Sequence, residues 1–368
     1  MNKKLKIGID ARFFGPKQKG LGRYVQKLVD NLEKTDLNNQ YFIFLRKDGF
    51  YNYKPKNNNF KKILADYSWY GFKEQFYLPF KIRKYKIDLM HFPHFNVPVF
   101  YFKPFVITIH DLILKKYPTR RASTLTPLKY WLKTLAYHIV IFSAIKRSKK
   151  VIAVSNYTKN DILKYFKINA NKIKVIYEGS PSIKKEIKNF KKNNKSYLLY
   201  VGNAYPHKNL ENLIIAFNKL IQERKDLYLI LVGEKDYFYK KLQNKFYNPQ
   251  KIIFTDFVSD KDLISLYKKA SLYVFPSLYE GFGLPPLEAM SYGIPVLSSQ
   301  ASCLPEILGD AALYFNPENI DDISEKIKYV LDNKNIQEKL ISKGFEQIRK
   351  YKWNKMAQET LKIYKSVD

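Results

Sequence analysis

Cysteine is almost absent. Cys303 is the single one in 368 residues, which excludes an intramolecular disulfide framework and any cysteine-rich zinc site. Long apolar runs are missing as well: the stretches 97–114 and 137–145 are interrupted by Lys103, His110 and Asp111 or are too short to span a bilayer, so no transmembrane helix is expected. The chain opens MNKKLKIGID, basic and then strand-like, without the apolar core and small-residue cleavage site of a signal peptide. A cytoplasmic location is the expectation. Arginine is scarce too. Lysine outnumbers it 56 to 9, whereas specific nucleic-acid recognition leans on the bidentate guanidinium fork, and no specific nucleic-acid partner is expected.

What is present is positive charge, +32 in formal count, which favours contact with polyanions. Two explanations stay open: a solvated lysine-rich surface, as AT-rich coding would produce, or attraction to an anionic membrane face. At this length two domains are the natural expectation, and 46% apolar residues are ample for two cores.

Short β-branched runs alternate with helical patterns, the signature of parallel βαβ units. Strands are expected at 6–10, 41–45, 89–92, 105–109, 150–154 and 174–176, and again at 197–201, 228–232, 252–255, 272–275 and 295–298. Between the two series lie Glu178, Gly179, Ser180 and Pro181 and then the lysine-rich stretch 182–195, which reads as a hinge. The fold class is therefore α/β, with domains at 1–178 and 179–350 and a terminal amphipathic helix at 351–368. Ligands of such sheets bind at the carboxyl ends of the strands, and two such edges facing each other make a cleft.

The most specific motif is Glu280-Gly281-Phe282-Gly283-Leu284-Pro285-Pro286-Leu287-Glu288, directly after a strand. The glycines let backbone approach a ligand, proline pre-sets the first helical turn, and N–H groups there suit a pyrophosphate. Glu280 is placed to accept hydrogen bonds from sugar hydroxyls, and Glu288, read as lying in the first helical turn, from a ribose. The alternative is that Glu288 only complements the helix dipole and Glu280 is a loop residue. A second phosphate candidate runs from Gly202 and Asn203 through Pro206, His207 and Lys208 to Asn209; a lysine and helix-terminal amides would stabilise charge growing on a departing diphosphate. An ordinary exposed lysine near a helix start is the competing reading.

Gly15, Gly20, Gly22 and Arg23 belong to a glycine-rich loop after the first strand that lacks a full dinucleotide fingerprint. His110 and Asp111 close another strand and should emerge at its functional edge, unless the histidine is satisfied in the core. His91 and His94 have no third ligand of suitable spacing and read as lining residues. Asp260-Lys261-Asp262 matches a metal-binding Asp-x-Asp in form, but Ser259 before it reads as the N-cap of a helix with Asp262 in its third position. No metal is expected.

On these motifs the chain resembles, over nearly its whole length, glycosyltransferase family 4, retaining enzymes of the GT-B fold with two facing Rossmann-like domains. The resemblance implies that Glu280 contacts the donor sugar, Glu288 the ribose, and Gly281, Phe282, Gly283 and Leu284 the diphosphate. It implies a phosphate-binding role for Lys208, with Asn203 standing where many members carry arginine, so that His207 is expected to assist. His110 corresponds to a histidine near the donor sugar, Gly20 and Gly22 to the loop beside the reacting phosphate, and Phe257 and Val258 to the strip that meets the nucleobase. The 353–364 helix resembles one that crosses back onto the first domain. The acceptor side is assigned to Arg23, His91 and Asp111, with Arg120 and Arg121 undecided.

His110, Lys208 and Glu280 are thus the expected catalytic residues of a hexosyltransferase, with a nucleotide sugar as donor, no cofactor, and a lipid-linked or growing surface glycan as acceptor. GDP-mannose is the favoured donor. The alternatives are a UDP-sugar-dependent hexosyltransferase or a non-catalytic polyanion binder, and peripheral contact with an anionic membrane is expected.

Overall fold

In a computed structural model the described residues are 4–119, 121, 123–182, 196–246 and 248–367. Arg120 and most of the expected hinge, 183–195, lie outside them. The chain divides into two compact units, one of Met1–Lys116, Ser123–Gly179 and Lys352–Asp368, the other of Tyr117–Ala122 and Ser180–Tyr351.

The first unit is built on a seven-stranded sheet ordered β3-β2-β1-β4-β5-β6-β7. Its strands are β1 (Lys6–Asp10), β2 (Gln40–Leu45), β3 (Phe60–Leu64), β4 (Leu89–Phe92), β5 (Phe105–Ile109), β6 (Lys150–Ala153) and β7 (Ile173–Val175). Every pairing is parallel. Side chains alternate between the two faces along each strand. Tyr41, Ile43 and Leu45 join one core with the helix Lys19–Thr35, while Phe42 and Phe44 join a second with the helices Phe72–Arg83 and Pro127–Arg147. Both faces of the sheet are therefore buried, which is why its strands read as near-continuous apolar runs.

The terminal helix Trp353–Lys365 completes the first of these cores with Met356, Ala357, Leu361, Ile363 and Tyr364. Gly179 admits it, because a β-carbon there would stand 2.4 Å from the Trp353 amide nitrogen.

The second unit carries a six-stranded sheet ordered β10-β9-β8-β11-β12-β13. Its strands are β8 (Ser196–Val201), β9 (Leu227–Val232), β10 (Ile252–Phe254), β11 (Leu272–Phe275), β12 (Val296–Ser299) and β13 (Ala312–Phe315), again all parallel. Two strands fall outside the series expected from sequence, β3 and β13, and both are edge strands. An edge strand is paired on one side only, so it needs no unbroken apolar run; β3 carries Lys61 and Lys62.

Candidate functional site

In the second sheet the strand order reverses between the neighbours β8 and β11. Segments leaving their carboxyl ends diverge, and such a switch point is where open α/β sheets take ligands. The two best motifs leave from these two strands.

The segment after β8 is pinned from below. The Gly202 amide donates to the Val232 carbonyl at 3.0 Å, the Tyr239 hydroxyl donates to the Gly202 carbonyl at 2.9 Å, and the Tyr200 hydroxyl donates to the Asn203 carbonyl at 2.8 Å. One tight turn, Pro206–Lys208, follows, and Asn209 then caps the helix Leu210–Leu220 from the left-handed region. The segment after β11 is tied to that turn, the Leu278 amide donating to the His207 carbonyl at 2.8 Å.

This brings Lys208 Nζ to 2.5 Å from Glu280 Oε1, with the two side chains 14% and 12% exposed. The ammonium also lies 5.9 Å from the centre of the Phe275 ring. The Glu280 amide donates to Ser302 Oγ at 3.0 Å, which fixes the residue at its backbone.

Gly283, at φ 93°, supplies the left-handed cap from which the helix Leu284–Ser291 starts. Pro285 and Pro286 carry no N–H, so the amides of this helix end are those up to Leu284. Glu288 is the fifth residue of that helix. The expectation that it lies in the first turn is corrected, because the helix begins at Leu284, ahead of both prolines, and with it goes the helix-dipole explanation of this carboxylate. Burial and then the charges of Glu288 and Glu280 raise the Tyr273 phenol pKa, so both glutamates act on one buried side chain.

His207 stacks against Tyr205, ring centres 6.0 Å apart. Burial and the adjacent Lys208 push its pKa down to about 3. That favours the neutral ring at His207, beside Lys208 in the Pro206–Lys208 turn. Asn203 accepts from the Tyr205 amide at 3.4 Å. Phe257 and Val258 follow β10, separated from β8 by β9. The Phe257 ring is exposed, and its amide is taken by Asp256 Oδ1 at 2.8 Å.

The Asp260 and Asp262 pair does what its context predicts. Ser259 Oγ accepts from the Asp262 amide at 3.2 Å and donates to its carboxylate at 2.6 Å, capping the helix Asp260–Lys269. Arg121, undecided from sequence, pairs with Glu211 at 2.8 Å.

In the first unit His110 follows β5, where the Thr158 hydroxyl donates to its carbonyl at 3.2 Å. Its Nε2 donates to the Pro93 carbonyl at 3.0 Å, and its Nδ1 stands 3.0 Å from Glu178 Oε1. Burial alone would lower its pKa; the Glu178 hydrogen bond and charge, the Pro93 carbonyl and Asp111 outweigh it and raise it. Both ring nitrogens thus face acceptors, which favours the imidazolium. Asp111 accepts from the Ile113 amide at 3.0 Å.

His91 is a different case. Its side chain has no exposed surface. Nδ1 is 2.6 Å from the Tyr364 hydroxyl and Nε2 is 2.9 Å from Thr108 Oγ1, and burial, with His110 nearby, holds its pKa down to about 3. Its assignment to the acceptor side is corrected: a neutral ring with both nitrogens engaged in the core cannot meet an acceptor.

Gly22 and Gly20 separate in the same way. A β-carbon at Gly22 would lie 2.0 Å from the Gly15 carbonyl, whereas one at Gly20 meets nothing within 4 Å. The expected loop is corrected here: Gly20, Gly22 and the half-buried Arg23 lie in the first turns of the helix Lys19–Thr35, where Gly22 is required by the close approach of the Gly15 carbonyl and Gly20 is open.

Sequence reading missed Glu178 as a partner of His110, and it missed Glu74. Arg12 donates to both oxygens of Asp10 at 2.7 Å and to Glu74 Oε1 at 2.5 Å, all buried at the carboxyl end of β1. Glu178 adjoins the expected β7, but nothing local pairs it with a residue 68 positions away.

The description glycosyl transferases group 1 fits residues 182–347, and glycosyltransferase family 4 fits residues 19–180. The O-antigen chain mannosyltransferase B of Escherichia coli is 29% identical over 77% of this chain and 76% of its own length. The O-antigen chain mannosyltransferase RfbU of Salmonella typhimurium strain LT2 is 31% identical over 71% and 70%. Among solved structures, WaaG, a glycosyltransferase involved in lipopolysaccharide biosynthesis, superposes with a TM-score of 0.73 at 15% identity over 98% of this chain and 99% of its own, which establishes the shared GT-B fold of two Rossmann-like domains. With a lysine and a glutamate brought together at the switch point of the second sheet and both halves matching the family's descriptions, this chain is a glycosyltransferase of family 4.

Proposed function

We propose that the chain takes mannose from GDP-mannose and adds it, with retained configuration, to a lipid-linked or growing cell-surface glycan. The observation that carries the proposal is the Lys208 to Glu280 contact at the β8/β11 switch point; mannose and the O-antigen type of acceptor are taken from the relatives.

In this reading the bond between the anomeric carbon and the diphosphate oxygen breaks with its electron pair passing to that oxygen. Lys208 and the backbone amides of residues 281–284 stabilise the growing charge, in a partly buried setting where such stabilisation is strongest. Glu280 holds hydroxyls of the sugar and Glu288 those of the ribose. The acceptor hydroxyl then bonds to the oxocarbenium-like carbon on the face the diphosphate leaves, and its proton passes to the departing diphosphate oxygen. Lys208 supplies the positive charge, and the step as proposed needs no cofactor.

The test is turnover of GDP-mannose by the purified protein, with UDP-glucose, UDP-galactose and UDP-N-acetylhexosamines as competitors. Selective release of GDP, lost in Glu280→Ala, supports the reading. Turnover of a UDP-sugar instead would overturn the donor assignment, and tight, salt-dependent oligonucleotide binding with no nucleotide-sugar affinity would overturn the enzyme.

A further inference from the structure

The first unit leaves many large apolar side chains in solvent on two helices and an adjoining loop. The helix Pro127–Arg147 has two apolar faces. Tyr137, Ile141, Ala144 and Ile145 enter the core. Opposite them Leu128, Trp131, Leu132, Leu135, Ile139 and Phe142 are all exposed, Trp131 by 61%. Their spacing of three, one, three, four and three residues keeps them on one side of a helix.

The helix Phe72–Arg83 exposes Phe72, Phe76, Tyr77 and Phe80. The loop after β4 adds Phe100 and Phe102, the latter 79% exposed. These pieces touch: Phe76 stacks on Phe100 with centroids 4.8 Å apart, and Arg147 lies 4.8 Å over Phe102.

Charge on this surface has one sign. Lys129, Lys133 and Lys146 project from the longer helix and Lys73 from the shorter one. No acidic residue occurs between Asp111 and Asp161. The single carboxylate of the two helices, Glu74, is buried against Arg12. An apolar patch this wide marks a docking surface, and a rim of lysines without acids repels a second copy of itself while attracting an anionic one.

We infer that this face of the first unit is the surface by which the protein lies on an anionic phospholipid bilayer, with Trp131, Leu132, Leu135 and Ile139 entering the headgroup layer and the lysines meeting the lipid phosphates. Trp, Phe and Leu opposite lysine is the composition of helices that rest in the interface plane. No described helix is long and apolar enough to cross a membrane, and none needs to. The surface deepens the membrane side of the proposed function, resting on that reading only for its purpose.

The experiment is flotation of the full chain with phosphatidylcholine vesicles, with and without phosphatidylglycerol, read beside quenching of tryptophan emission by brominated phosphatidylglycerol. The expected result is flotation with the anionic vesicles and quenching that is lost in Trp131→Phe. The variant Leu132→Ser/Leu135→Ser/Ile139→Ser, altered at exposed positions, should lower partitioning at least about tenfold while nucleotide-sugar binding stays as in wild type. Absence of flotation, equal flotation on neutral vesicles, binding unchanged in the triple variant, or a dimer in solution dissolved by that variant would each overturn the inference. Because nucleotide-sugar binding is read separately, failure of the surface and failure of the donor assignment give different results.

Discussion

Lys208 and Glu280 neutralise each other across 2.5 Å from two different loops of the second unit. A diphosphate arriving there competes with a carboxylate for the same ammonium. Lys208→Ala is therefore expected to do double harm, removing the cation and leaving a partly buried anion facing the ligand. Its turnover should fall on the order of a hundredfold. Glu280→Ala should also lose turnover yet bind free nucleoside diphosphate at least as well as wild type. The double variant should bind it better than Lys208→Ala alone. Calorimetric titration of the three variants checks this, and additive losses in the double variant would show that the two groups do not share the ligand.

The His110 and Glu178 pair predicts a pH dependence with a definite sign. Because the folded state raises the His110 pKa, folding binds that proton more tightly. The contribution is complete below the unfolded value of about 6.5 and fades as pH rises through the folded value. Glu178→Gln should thus lower Tm most on the acid side of about 6.5, with the difference shrinking at higher pH. The C2 proton of His110, followed by NMR, should titrate at lower pH in the variant. A Tm difference that does not change with pH would mean that His110 is neutral in the folded chain.

Tyr364 reaches from the terminal helix to His91 at 2.6 Å. Tyr364→Phe keeps the ring and leaves a buried imidazole nitrogen without its partner, at a cost of about 1–3 kcal/mol. Urea unfolding should show that loss. An unchanged midpoint would mean that the hydrogen bond is replaced within the core.

The two glycines at the start of the helix Lys19–Thr35 should respond differently. Gly22→Ala forces a β-carbon to within 2.0 Å of the Gly15 carbonyl, so Tm should drop clearly. Gly20→Ala meets open space and should leave Tm unchanged or slightly higher, since alanine has the better helix propensity. If Gly20 faces the reacting phosphate, as the family resemblance implies, this second variant alone loses turnover at unchanged stability. Equal Tm losses would remove the distinction.

Much of the molecule was legible in advance because it depends on local rules. Eleven strand positions follow from buried runs, and the Ser259 cap follows from a residue type that favours a helix start. The motifs that meet at Lys208 and Glu280 could be named from sequence. Their distance could not, since it depends on β8 and β11 being neighbours. Strand β3 escaped because Lys61 and Lys62 break its apolar run.

The histidines show where local information ends. In the sequence His91 lies within one apolar strand and His110 follows another, and each could line a site or fill a core. His91 became a core residue because a tyrosine 273 positions away packs onto it, and His110 became the hydrogen-bond partner of Glu178 at a separation of 68. The sequence by itself determined the alternation of strands and helices, the phosphate-binding motifs and the one-signed lysine rim, since each is a property of neighbouring residues. Which polar group is silenced in the core and which is held ready at an edge was decided only by the tertiary structure, because desolvation and pairing depend on contacts that the chain makes with distant parts of itself.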